Sequence, residues 1–139
     1  GLYGFICRWI AYTIQNKPIQ IWGDGKQIRD FTFVTDIAKA YPMVIDNPST
    51  LNQEFLLSSG RAVRLLELAE LITEMCGKDR INIEFLPQKV GDIKRFVGDY
   101  RKAKLYLGWY PEVTLEQGLR ITVNWVKNNM NRYKEYNLN

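Results

Sequence analysis

Residues 17–36, KPIQIWGDGKQIRDFTFVTD, hold the side chains best suited to chemistry. Arg29 offers a planar fork of donors that fits phosphate oxygens. Trp22, at the end of the β-type run 19–22, offers an indole face to a nucleotide base. Between them, Gly23-Asp24-Gly25-Lys26 lets the backbone turn tightly beside a bound group. Together these residues suggest a pocket for a nucleotide diphosphate. Each also has a plainer role open to it: a tryptophan is more often core than platform, and Arg29 has Asp30 beside it as a surface partner.

Other chemistries find little support. The chain has no histidine, which removes the commonest general base and metal ligand. Cys7 and Cys76 lie far apart with no metal spacing around them, so no metal site is expected and two free thiols in a reduced, cytoplasmic setting are. Any acid–base work falls to Tyr, Lys, Asp or Glu. A dinucleotide-binding fingerprint needs a Gly-rich turn between a strand and a helix. Gly1-Leu-Tyr-Gly4 has no strand before it and no third glycine.

The chain of 139 residues is 46% hydrophobic and 24% charged, ordinary for a globular domain able to bury a core. No window approaches the roughly 18 apolar residues of a membrane span, and the first residues lack the apolar h-region expected of a signal peptide. The net charge of +4 is spread over small groups such as Lys94-Arg95 and Arg101-Lys102, without a nucleic-acid motif. A solvated surface is expected, with some cations turned toward a diphosphate.

The elements that must position these residues alternate in type. Residues 2–15 carry Phe5, Trp9, Ile10 and Ile14 at helical spacing, stopped by Pro18. A short strand spans 19–22. Thr35 is placed to cap a helix from Asp36 onward, with Ile37, Ala38, Tyr41, Val44 and Ile45 on its apolar side and a kink or early end at Pro42. Residues 47–49 read as a loop. Residues 54–58, EFLLS, read as a strand buried on both faces. A helix over about 64–76 has Leu65, Leu68, Ala69, Ile72 and Cys76 as its stripe and Gly77 at a left-handed cap. Residues 81–85 alternate, with Ile81, Ile83 and Phe85 on one side. Thr114-x-x-Gln117 reads as a capping box for a last helix with the stripe Leu115, Leu119, Val126 and Met130. Residues 128–139 are expected to fray. No linker or repeat divides the chain, so residues 1–139 read as one α/β domain.

Five motifs in order give a resemblance. Residues 17–36, the EFLLSSG and LLELAELI runs (54–60, 65–72), Val90-Gly91-Asp92, and DYRKAKLYLGWYP (99–111) followed by the helix from Thr114 closely resemble the C-terminal portion of extended short-chain dehydrogenases. This family includes UDP-glucose 4-epimerases and dTDP-glucose 4,6-dehydratases. The resemblance implies the C-terminal substrate-binding portion of an extended Rossmann-type enzyme, with short strands and several helices, that binds a UDP- or dTDP-sugar. It makes Trp22 and Arg29 contacts to that ligand. It adds Lys89, where the family more often has an arginine on the diphosphate, and Asp92, an acceptor for ribose or base. Tyr100 and Lys104 stand at the spacing of the family's catalytic Tyr-x-x-x-Lys but fall in its D…KA stretch, so no catalytic residue is expected here. Trp109 and Pro111 are expected to pack in the core.

The resemblance further implies NAD held by an N-terminal dinucleotide fold outside this chain, with no cofactor contact from the chain itself. The chain therefore reads as a fragment of a sugar 4-epimerase, inactive alone. A 4,6-dehydratase of the same family and a non-catalytic binding or assembly module are the alternatives. Its expected partners are the nucleotide sugar and further copies of itself, a homodimer or larger, with no nucleic acid and no membrane.

Overall fold

The computed structural model describes residues 4–45 and 47–134. They divide into two compact units, one built from Gly1–Lys26, Arg64–Asp92 and Glu116–Asn139, the other from Gln27–Val63 and Ile93–Leu115.

The first unit is built from periodic apolar elements. Helix α1 (Phe5–Ile14) buries Trp9, Ile10 and Ala11 and packs on β1 and α3. Asn16, in the left-handed region at φ 59°, ends it ahead of Pro18. Strand β1 (Ile19–Trp22) buries Ile19 and Ile21 and turns Trp22 outward, as side-chain alternation requires. It pairs in parallel with β4 (Ile83–Leu86), Ile19 opposite Ile83 and Trp22 opposite Leu86. Helix α3 (Leu65–Met75) buries Leu68, Ala69 and Ile72. Arg64 caps it without a side-chain bond, and Gly77 follows in the left-handed region. Helix α5 (Leu115–Asn128) buries Leu119, Val123 and Val126, and a short α6 (Asn131–Lys134) follows. Each buried Ile or Leu contributes about 1.5–3 kcal/mol through water exclusion. The strand expected over 81–85 runs instead over Ile83–Leu86, with Ile83 and Leu86 half-buried and Phe85 exposed. The expected fraying of 128–139 lies in part, at 135–139, outside the described residues.

The second unit has little regular β-structure. Strand β2 (Ile28–Arg29) pairs with β3 (Val63–Arg64), whose Val63 closes this unit's first segment, and Ile28 also bridges Arg95. Helices α2 (Val34–Ile45) and α4 (Arg101–Leu107) meet around Ala40, Ala103 and Trp109, with Ile37, Phe55, Leu57, Tyr100 and Leu107 packed alongside. Gly108, left-handed at φ 68°, caps α4 and turns the chain into the buried Trp109.

Four expectations for this unit are corrected. Helix α2 begins at Val34, so Thr35 lies inside its first turn, and the Phe33 carbonyl accepts from the Asp36 and Ile37 amides at 3.1 and 3.3 Å. The helix runs past Pro42 to Ile45, because a late proline forfeits only one bond near a helix end. Its inner stripe is Asp36, Ile37, Ala40 and Val44; Ala38, Tyr41 and Ile45 are exposed. Residues 54–58 form no strand. Phe55 and Leu57 pack inward, Leu56 is half exposed, and among the described residues no backbone hydrogen bond joins this run to a neighbouring strand.

Candidate functional site

In the first unit the parallel pair ends at Trp22 and Leu86. The Gly23 amide donates to the Leu86 carbonyl at 2.9 Å, so the glycine turn departs from the end of the sheet. Gly23 and Gly25 both have positive φ, 82° and 74°. A Cβ on Gly25 would stand 2.7 Å from Leu66 Cγ, and the Gly25 carbonyl accepts from the Leu66 amide at 3.1 Å. This position requires glycine both for its dihedral and for its space. At the turn's tip, Asp24 Oδ1 accepts from the Lys26 amide at 3.0 Å. That amide, and then the Lys26 ammonium, hold the Asp24 carboxyl below its ordinary value of 3.8.

Trp22 is 39% exposed, so it is not a core residue, and Lys89 Nζ sits 4.4 Å from its ring centroid. A cation over an indole face is attracted by the ring quadrupole. Lys89 is placed by its own turn, in which the Asp92 amide donates to the Lys89 carbonyl at 3.2 Å across a left-handed Gly91. Trp22, Lys89 and Asp92, drawn from two segments about 67 residues apart in sequence, thus belong to one unit.

Arg29 belongs to the other unit. Its Nη1 donates to the Ile28 and Ile93 carbonyls at 2.9 and 2.6 Å. The carboxylate next to it in sequence is occupied elsewhere. Asp30 accepts from the Ser59 amide (2.9 Å) and hydroxyl, the Gly60 amide (2.9 Å) and the Gly98 amide (3.1 Å). Two distant segments, at 59–60 and at 98, are tied to this one side chain. Gly98 must approach closely to join it, since a Cβ there would lie 2.4 Å from Ser58 Cβ.

A second carboxylate plays the same part. Asp36 is fully buried, and its Oδ2 accepts from the Glu112 and Val113 amides at 3.0 and 2.8 Å. Its own carbonyl accepts from Trp109 Nε1 at 2.7 Å. Lys39 Nζ stands 3.7 Å from Asp36 Oδ1 and pairs closely with Glu112; that pairing, and Asp36 behind it, raise the Lys39 ammonium above its ordinary value of 10.5. Asp30 and Asp36 carry more structure than sequence reading assigns them. Their partners are backbone amides 29 to 77 residues away, and nothing local marks such a pairing.

Tyr100 precedes α4, with its ring edge-on to Trp109 at 6.2 Å and Lys104 exposed one turn on. This is a packing role. Trp109 is buried and Pro111 half-buried. The glycine turn after β1 leads to β2, and the Gly91 turn after β4 lies ten residues before α4, so among the described residues no Gly-rich turn joins a strand directly to a helix. The chain's own residues therefore do not fit a dinucleotide cradle.

Short strands set among helices match the C-terminal α/β portion of Rossmann-type epimerases and dehydratases. The family model described as GDP-mannose 4,6-dehydratase matches residues 4–122, and the chain belongs to that family of extended short-chain dehydrogenases, the NAD-dependent nucleotide-sugar epimerases and dehydratases. It is 37% identical over 131 residues to a UDP-glucuronate 4-epimerase of Thermodesulfobacterium geofontis, covering 93% of this chain and 39% of that protein. A UDP-glucose 4-epimerase of Thermotoga maritima, solved with UDP-glucose, superposes with a TM-score of 0.85 at 30% identity, over 94% of this chain and 41% of that one. A dTDP-glucose 4,6-dehydratase of Bacillus anthracis, solved with NAD, gives 0.86 at 26% identity, over 96% and 42%. The chain spans about two fifths of these relatives. No described helix is long and apolar enough to cross a membrane.

Proposed function

We propose that this chain is the nucleotide-sugar-binding portion of an NAD-dependent sugar 4-epimerase that acts on a UDP-sugar. The observation that carries this reading is Lys89 held over the half-exposed Trp22 at the end of the parallel pair, in a chain akin to 4-epimerases of UDP-sugars. Trp22 offers its indole to the base. Lys89, on a flexible stem, moves from the ring to the diphosphate when that stronger anionic partner arrives. Asp92 accepts from ribose or base. Arg29, anchored through Nη1 to two carbonyls, is a rigid fork for phosphate oxygens. NAD and the catalytic groups belong, on this reading, to a dinucleotide-binding portion that these residues do not provide, and residues 1–139 act as one substrate-binding piece without turnover of their own.

Calorimetric titration with UDP-glucose and UDP-glucuronate tests the assignment. Lys89→Ala and Arg29→Ala are each expected to weaken binding by about 10- to 100-fold, the loss of one charge-assisted hydrogen bond of roughly 1.5–3 kcal/mol. Affinities equal to wild type in both variants would sink it. A sugar 4,6-dehydratase is the second reading, favoured by the description of the matching family and by the dTDP-glucose 4,6-dehydratase likeness. Preference for dTDP-glucose or a GDP-sugar in the same titration would select it.

A further inference from the structure

The first unit carries a second cationic site, at the end of the β1–β4 pair opposite to Trp22. Lys17 lies just before β1, and Arg80 and Asn82 just before β4. With Asn16 and Lys78 they line a pocket of about 210 Å³ walled further by Thr13 and Thr73. The two threonine hydroxyls donate to the Trp9 and Ala69 carbonyls at 2.9 and 2.8 Å, which leaves the donors to the three cations and two carboxamides. Lys78 Nζ is steadied by Asn16 Oδ1 at 2.7 Å. No carboxylate lines this pocket. Glu70, Glu74 and Asp79 line a neighbouring depression that shares only Lys78 and Thr73 with it.

A plainer account is that these cations complement helix ends. Helices α1 and α3 both terminate here, each presenting roughly half a negative charge. Two such ends offset about one of three cations, so a net charge of roughly +2 faces a concave, donor-lined space. A tetrahedral phosphate fits that charge and volume. Strands rise about 3.3 Å per residue, which puts this pocket on the order of 15 Å from Trp22, too far to share one diphosphate.

We propose that this pocket binds a phosphate group, as the free ion or as a phosphate monoester, independently of the nucleotide-sugar reading. The test is amide NMR of the 139-residue chain, titrated with inorganic phosphate or glycerol 3-phosphate at constant ionic strength. Saturable shifts are expected at Asn16, Lys17, Lys78, Arg80 and Asn82, with Lys17→Gln and Arg80→Gln each weakening binding at least about tenfold. Arg80→Lys should keep most of it, and a dispersed spectrum checks that each variant is folded. Stronger binding of the ester identifies the group as part of a small molecule, stronger binding of inorganic phosphate as the free ion, and either supports the site. Shifts no larger than those from chloride, or saturable shifts that persist in the Lys17→Gln/Arg80→Gln double variant, overturn it. UDP-glucose, added separately, should move residues 22–26 and 89–92 instead, so the two proposals fail independently.

Discussion

The two units hold themselves together by different physics. The first buries Ile10, Ile19, Ile21, Leu68, Ile72, Val123 and Val126 on the inner faces of regular helices and strands. The second has a smaller apolar cluster around Trp109 and is tied by two carboxylates, Asp30 and Asp36, that accept amides from distant loops. It also leaves Val34, Tyr41, Ile45, Leu51 and Leu105 largely exposed. A unit closed by periodic burial needs only its own residues, whereas one pinned by single side chains depends on each pin.

The largest expected effect is at Asp36. Asp36→Ala removes the buried carboxylate that accepts from the part-buried Glu112 and Val113 amides and should cost about 3–5 kcal/mol in urea unfolding. A loss below about 1 kcal/mol would mean that the apolar cluster alone holds the second unit. Leu68→Ala in the first unit should cost about 2–5 kcal/mol by leaving a cavity. A polar isostere cannot substitute there, while Asp36→Asn, which keeps an acceptor oxygen, should recover part of the Asp36→Ala loss. Asp30 is only partly buried, so Asp30→Ala should cost about 2–3 kcal/mol despite its greater number of partners. If Asp30→Ala exceeded Leu68→Ala, the contrast between the units would be sharper than burial suggests.

Residues 54–58 mark the contrast again. Their apolar content foretells a strand, but a strand exists only when another chain segment answers its amides and carbonyls, and none among the described residues does. With the exposed side of α2 in the same unit, this run should drive self-association at high concentration. Light scattering over a dilution series is expected to show a dimer or larger species, with Tyr41→Glu/Ile45→Glu shifting it toward monomer. A monodisperse monomer throughout would show that the second unit tolerates its apolar surface.

Exposed ion pairs should matter least. Asp99 and Arg101 pair at 2.5 Å, and the Arg101 side chain, then its amide, hold the Asp99 carboxyl below 3.8. A carboxyl lowered in the folded state stabilises above its unfolded value, and that contribution fades as pH falls through the folded one. Solvent screens the pair, so Asp99→Asn should leave the unfolding midpoint at pH 7 unchanged within error and alter only the acid limb below about pH 4.

The sequence by itself determined the elements whose burial repeats with their own geometry: β1, α3 with its Gly77 cap, and the stripe of α5 around Leu119 and Val126. In each, one face of a regular period meets the core, so side-chain order along the chain suffices. It also placed Trp22 at a strand end and glycines where the turn has positive φ. Tertiary structure decided the rest. Which side of α2 faces inward follows from Asp36 being drawn in by the Glu112 and Val113 amides, against the larger Tyr41 and Ile45 left outside. Lys89 reaches Trp22 because parallel pairing puts Leu86 beside it, and Arg29 turns to two carbonyls because Asp30 is held by Ser59, Gly60 and Gly98. These are contacts between residues tens of positions apart, where the partner's approach, not local periodicity, sets the energy.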